Sequence, residues 1–202
     1  MLDLIQAAGW PIWPLIATSV LGLALILERT VALRNRTVLP PGLPEHVMEL
    51  VRQRGDTDEA LLRLAAGSPL GRVLAEVLAN RHESPGYRLA AIEDAGKDVA
   101  QYLQRYLPAL GTIAVVSPLM GLFGTVVGMI DIFASYTPEG SDPALLARGI
   151  SVALYNTGLG ILIAIPALIF HRYFRSRVDG YLHRMEREAS ALNRLLHRQG
   201  TP

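Results

Sequence analysis

Residues 119–130 read LMGLFGTVVGMI and residues 150–170 read ISVALYNTGLGILIAIPALIF. Thr125 is the only polar side chain of the first run, and Thr157 stands beside Asn156 in the second. Both runs carry closely spaced glycines. Glycine weakens a helix in water by about 1 kcal/mol relative to alanine, and hydrocarbon offers a hydroxyl no partner. Both choices make sense for membrane helices that approach each other closely around a polar path. These two stretches set the expected fold class: all-α, with three transmembrane helices extended into a cytoplasmic helical bundle.

The composition agrees. Half of the 202 residues are hydrophobic and 18% are charged, below the roughly 25% of an ordinary soluble domain. The charges also leave long stretches of the chain empty, as in multi-span membrane proteins. There is no cysteine, so a disulfide framework or thiolate metal site is excluded. A net charge of +1 argues against nucleic acid as a partner. The histidines His46, His82, His171, His183 and His197 form no metal-ligand pair at helical spacing, and no glycine-rich phosphate loop is present. An enzyme reading has little support, and neither metal nor cofactor is expected.

The spans are placed at 10–33, 107–133 and 147–170, each able to cross ~30 Å of hydrocarbon. Residues 1–10 contain Asp3 and no Lys or Arg, whereas Arg29, Arg34 and Arg36 follow the first apolar run. That order opposes a signal peptide and places 1–9 outside. Residues 34–106 hold ten Lys or Arg, 171–202 hold seven, and the loop 134–146 holds none. The positive-inside rule puts 34–106 and 171–202 in the cytoplasm. Arg29 is expected to snorkel at the inner end of the first span.

Within the cytoplasmic segment, Gly67-Ser68-Pro69 and Ser84-Pro85-Gly86 mark breaks. Residues 87–106 have helical periodicity and are expected to run straight into the second span. Ser141-Asp142-Pro143 reads as a capped helix start before the third. The third span should continue as a tail helix. Its apolar stripe is Phe174, Val178, Leu182, Met185, Ala189, Leu192 and Leu196, and the middle helices are the nearest surface to cover it.

At 1.5 Å per residue, Thr125 and Thr157 both lie about 12–13 Å below the outer face. Both stand on small-residue ridges: Ser117, Gly121, Thr125 and Gly128 on the second span, with Gly124 on the face of Gly128 and Asp131, and Ala153, Thr157, Gly160, Ala164 and Ala167 on the third. Two readings stay open. The hydroxyls bond their own helix carbonyls as packing glue, or Thr125, Thr157, Asn156 and Ser117 line an ion path. Asp131 and Arg148 stand at the outer mouth, either as headgroup charges or as a guarding ion pair. His171 is read as an interfacial residue at the inner end.

Four pieces carry a resemblance: GWPIWPLIATSVLGLALILERTVALR (9–34), PLMGLFGTVVGM (118–129), GISVALYNT (149–157) and GLGILIAIPAL (158–168). The chain resembles the MotA/TolQ/ExbB proton-channel family, most closely its ExbB/TolQ branch. The resemblance implies a multi-pass subunit of the bacterial inner membrane with a periplasmic N-terminus. It implies a homo-oligomeric ring, a pentamer, around the helices of an ExbD- or TolR-like single-span partner whose aspartate carries protons. It further implies a TonB- or TolA-like protein as the energised component. The family's channel threonines correspond to Thr125 and Thr157. Many relatives carry a glutamate five residues before the third-span threonine; here that position is Val152. The resemblance therefore allows a proton-conducting stator subunit or a non-conducting scaffold for the partner.

Overall fold

Every regular element among the described residues is a helix. In chain order they are α1 (Ile12–Ala32), α2 (Asn35–Val38), α3 (Leu43–Arg52), α4 (Asp58–Gly67), α5 (Pro69–Ala79), α6 (Pro85–Gln104), α7 (Leu107–Ala134) and α8 (Pro143–Gln199). The structure, a computed structural model, describes residues 10–53, 57–134 and 143–199, and the backbone alone at 143–146, 148, 152 and 197–199. The expected external segment 1–9, most of the loop 134–146 and the Ser141-Asp142 cap lie outside the described residues. Stretches of α1, α7 and α8 are long and apolar enough to cross a membrane, so the chain is an all-α, multi-span membrane protein. At 21 residues, α1 is about 31 Å long, close to the thickness of the hydrocarbon core.

The chain divides into two compact units, Met1–Glu28 with Tyr106–Tyr173, and Arg29–Arg105 with Phe174–Pro202. In the first, α1 runs antiparallel to α7. The Trp10 ring meets Phe123 edge-on with centroids 6.0 Å apart. A Cβ placed on Gly22 would lie 3.5 Å from the Ile113 side chain. Large apolar side chains on the outer faces, among them Leu119, Leu122, Val126, Leu154, Leu162 and Ile165, are exposed. Lipid or neighbouring helices suit such a surface; water does not.

In the second unit α5 is central. Leu70, Val73, Leu74, Val77 and Leu78 are all buried. Ser68 and Ser84 accept hydrogen bonds from the Gly71 and Tyr87 amides, capping helices that begin with Pro69 and Pro85. The tail part of α8 buries Phe174, Val178, Tyr181, Met185, Ala189 and Leu192. Pro44, Val47, Met48 and Leu74 share a crevice with Leu192 and Leu195, so the stripe rests on the middle helices. The stripe differs from the sequence reading at one step: Tyr181 is buried and Leu182 only partly so. The Tyr181 hydroxyl donates to the Leu33 carbonyl at 2.8 Å and accepts from Arg177. It satisfies a carbonyl at the C-terminal end of α1 that the helix itself leaves open. Tyr181→Phe should lower thermal stability in detergent by about 0.5–1.5 kcal/mol, measurable as an earlier unfolding midpoint with an unchanged oligomer.

Two expectations fail here. Arg29 does not snorkel. It is 6% exposed and donates to the Leu103 carbonyl at 3.4 Å. Nor does the periodic helix at 87–106 run into the second span. It stops at Gln104, Arg105 turns extended, and Tyr106 adopts φ 68° before α7 begins at Leu107. Pro108 explains the break. It has no amide to give the Gln104 carbonyl, and its ring would collide with that turn. In the first turn of a new helix it is tolerated.

Candidate functional site

The small residues of α7 and α8 form an antiparallel seam within the first unit. A Cβ added to Gly160 would lie 2.5 Å from the Ser117 carbonyl oxygen. One on Gly121 would lie 2.6 Å from the Asn156 carbonyl oxygen and 2.9 Å from the Thr157 Cα. One on Gly124 would fall 2.7 Å from the Asn156 Cβ, and one on Gly128 would fall 3.0 Å from the Ala153 Cβ. The pairs thus step along both helices together, in opposite directions. At Gly121 and Gly160 the obstruction is backbone, so only glycine permits this approach. The register sets Thr125 and Thr157 within about one turn, ~5.4 Å, of the same level.

Of the predicted ridge residues, Ser117, Gly121, Gly128, Ala153, Thr157 and Gly160 lie in this seam together with Gly124, whereas Thr125 is only half-buried beside it. The ridge is longer than the sequence reading made it. A Cβ on Gly149 would strike the Ile132 side chain at 2.6 Å, and one on Gly111 would approach the His171 ring, 3.1 Å from Nε2. The signal was present in the spacing: 111, 114, 117, 121, 124 and 128 continue one face of α7, and 149, 153, 156 and 160 one face of α8.

The polar groups divide by their partners. Ser117 is fully buried and donates to the Ile113 carbonyl at 2.7 Å. Thr125 is half-buried and donates to the Leu122 carbonyl of its own helix, three residues back, at 2.6 Å. Asn156 is 1% exposed, its side chain against Gly124. The Thr157 hydroxyl is occluded and makes no hydrogen bond among the described residues. An unmet buried hydroxyl costs about 1–3 kcal/mol. Water or a group from another chain in hydrogen-bonding position would remove that cost.

Asp131 is exposed near the end of α7. The side chains of Arg148 and Val152 lie outside the described residues, so an Asp131–Arg148 pair does too. Among the described side chains of this unit the only carboxylates are Glu28 and Asp131, both exposed. The buried part of the seam therefore offers hydroxyls, an amide and backbone carbonyls, and no acid. Such a layer can orient water or a carboxyl group from another chain and pass a proton between them. Among the described residues no group of three His, Cys, Asp or Glu could hold a metal ion.

Comparison with known proteins bears directly on this arrangement. Residues 65–187 match the MotA/TolQ/ExbB proton channel family. An ExbB-like biopolymer transport protein of Synechocystis sp. is 34% identical over 175 residues, which cover 85% of this chain and 83% of the relative. The biopolymer transport protein exbB1 of Vibrio cholerae is 29% identical over 93% of this chain and 85% of its own length. The Tol-Pal system protein TolQ of Pseudomonas aeruginosa is 37% identical over 48% of this chain and 42% of its own.

Proposed function

This chain belongs to the MotA/TolQ/ExbB proton channel family, in its ExbB/TolQ branch, and from that premise we propose how it works. The chain is a proton-channel subunit of the ExbB/TolQ type, a multi-pass protein of the inner membrane. In the proposed assembly, copies form a ring, a pentamer, around the single helices of an ExbD- or TolR-like partner. Residues 1–9 lie in the periplasm, 34–106 and 171–202 in the cytoplasm, and the client is a TonB- or TolA-like protein.

The observation that carries this reading is the Thr157 hydroxyl, buried with no hydrogen bond among the described residues, beside the buried Asn156. Among the described side chains its seam holds no carboxylate, and Val152 occupies the position where the family resemblance would place a glutamate. The titrating acid is then the partner's aspartate. A proton entering from the periplasm neutralises that carboxylate. Thr157, Asn156 and Thr125 orient the carboxyl group and its water, and the neutral helix turns within the ring before the proton leaves inward. No residue of this layer changes charge, which suits a site where burying an ion is expensive.

Val152 also motivates the second reading, a non-conducting scaffold, and one cell experiment separates the two. The client process should stop within the time an uncoupler takes to collapse the proton-motive force. It should stop equally when the partner's aspartate is changed to asparagine, although the complex still co-purifies. Continued client activity under the uncoupler would sink conduction and leave the scaffold.

A further inference from the structure

The proposed path has an entry layer but, so far, no inward exit, and His171 stands where one is needed. Among the described side chains of the first unit, Glu28, Asp131, Arg172, Tyr106, Tyr155 and Tyr173 are all exposed, whereas His171 is half-buried. It is the one ionisable side chain of that set held partly inside the packed helices. It also continues the seam face of α8. From Asn156 the steps run through Gly160, Ala164 and Ala167, the alanines 8% and 2% exposed, to His171. Across the seam its Nε2 edge lies on Gly111, where an added Cβ would come within 3.1 Å.

The stretch between Thr157 and His171 is 14 residues, about 21 Å of helix, and polar atoms are placed along it. The Ser117 hydroxyl lies on the seam. Pro118 sits inside α7, so the carbonyl of Ala114, further inward than Ser117, lacks its usual amide donor. The Ser117 hydroxyl and the Ala114 carbonyl can bond water between the threonine layer and the imidazole.

We propose that His171 is the inward proton relay of this channel, a reading that rests on the proton-channel assignment above. The neutral imidazole accepts one proton arriving along the seam and becomes imidazolium. The same proton then passes to cytoplasmic water and the neutral ring is restored. Imidazole is suited to both halves of this exchange, since one ring nitrogen can accept a proton while the other gives one up. The charges placed to influence it are Arg172 beside it on α8 and Glu28 at the same end of α1. Tyr106, with Tyr173 on α8, supplies the other titratable groups there.

The test uses the complex of this chain with its single-span partner, reconstituted in liposomes, with proton flux measured as the pH on the cytoplasmic side is varied. His171→Gln should lower flux by roughly 10- to 100-fold, since water can replace the imidazole only in part, and should flatten the dependence on that pH. Wild-type flux and pH profile in His171→Gln would overturn the relay. If His171→Gln fails to assemble, Gly111→Ala decides. It keeps the imidazole but pushes it, and should shift the midpoint of the pH profile; an unchanged midpoint would overturn the proposal. Thr157→Val in the same liposomes tells this failure from that of the channel reading. A relay failure leaves a conducting wild type that Thr157→Val silences, whereas failure of the channel reading leaves no flux in any sample.

Discussion

Gly121→Val should yield a chain that inserts in the membrane yet loses the packing of its first unit, and with it the proposed ring and client process. The reason is local and steric. A Cβ at 121 would already lie 2.6 Å from the Asn156 carbonyl oxygen and 2.9 Å from the Thr157 Cα. Both obstacles are backbone, so no rotamer change relieves them, and valine adds two more methyl groups. Overpacking of this kind costs about 1–3 kcal/mol and at times more. Here the helices must part to accommodate it, and separation also loosens Gly124 against Asn156 and Gly160 against Ser117. Membrane helices associate through packing and hydrogen bonds, without a water-driven hydrophobic term to restore what is lost. Gly158→Ala is the matched control. Nothing lies within 4 Å of a Cβ there, so stability should stay within about 0.5 kcal/mol of the parent. Detergent-solubilised complexes compared by size and unfolding midpoint would show the contrast. A Gly121→Val protein as stable as Gly158→Ala would mean that the seam does not hold the first unit together.

Thr157→Val should silence the channel without weakening the protein, the reverse of what most buried polar substitutions do. Valine has the shape of threonine without the hydroxyl. That hydroxyl makes no hydrogen bond among the described residues, so its removal breaks none and relieves an unmet donor worth about 1–3 kcal/mol. The expected variant is as stable as the parent or more so, binds its partner, and fails to energise the client. Thr157→Ser keeps the hydroxyl and should retain activity. Thr125→Val gives a graded contrast. It forfeits the 2.6 Å bond to the Leu122 carbonyl, so part of its effect should appear as lost stability. A Thr157→Val complex with a lowered unfolding midpoint would assign the residue to packing.

Much of this architecture is legible in the residue pattern because small side chains at three- and four-residue steps leave few ways to use them. The ridges at Ser117–Gly128 and Ala153–Gly160 meet each other, and Ser68 and Ser84 cap where a Ser-Pro pair says they should. What escaped depends on phase and on individual partners. Tyr181 replaces Leu182 in the buried stripe because steps of 4, 3, 4, 4 and 3 from Phe174 hold one face over a long helix. Choosing residues by hydrophobicity alone slips off it. Arg29 looks like a headgroup charge until the Leu103 carbonyl is within its reach. The break at Tyr106 was readable from Pro108, but the apolar periodicity on both sides hides it. Thr125 and Thr157 look equivalent as letters. They differ in hydrogen bonding, which depends on side-chain rotamer and on the neighbouring helix, and a sequence pattern specifies neither.

The central claim is that protons cross this membrane protein past the Thr157 layer on an acid supplied by another chain. Its most direct test is proton flux into liposomes that hold this chain together with its single-span partner, driven by a potassium diffusion potential. The account predicts flux that requires both proteins, survives Thr157→Ser, and falls to the leak of empty liposomes in Thr157→Val although the complex is intact. Wild-type flux through an intact Thr157→Val complex would contradict it.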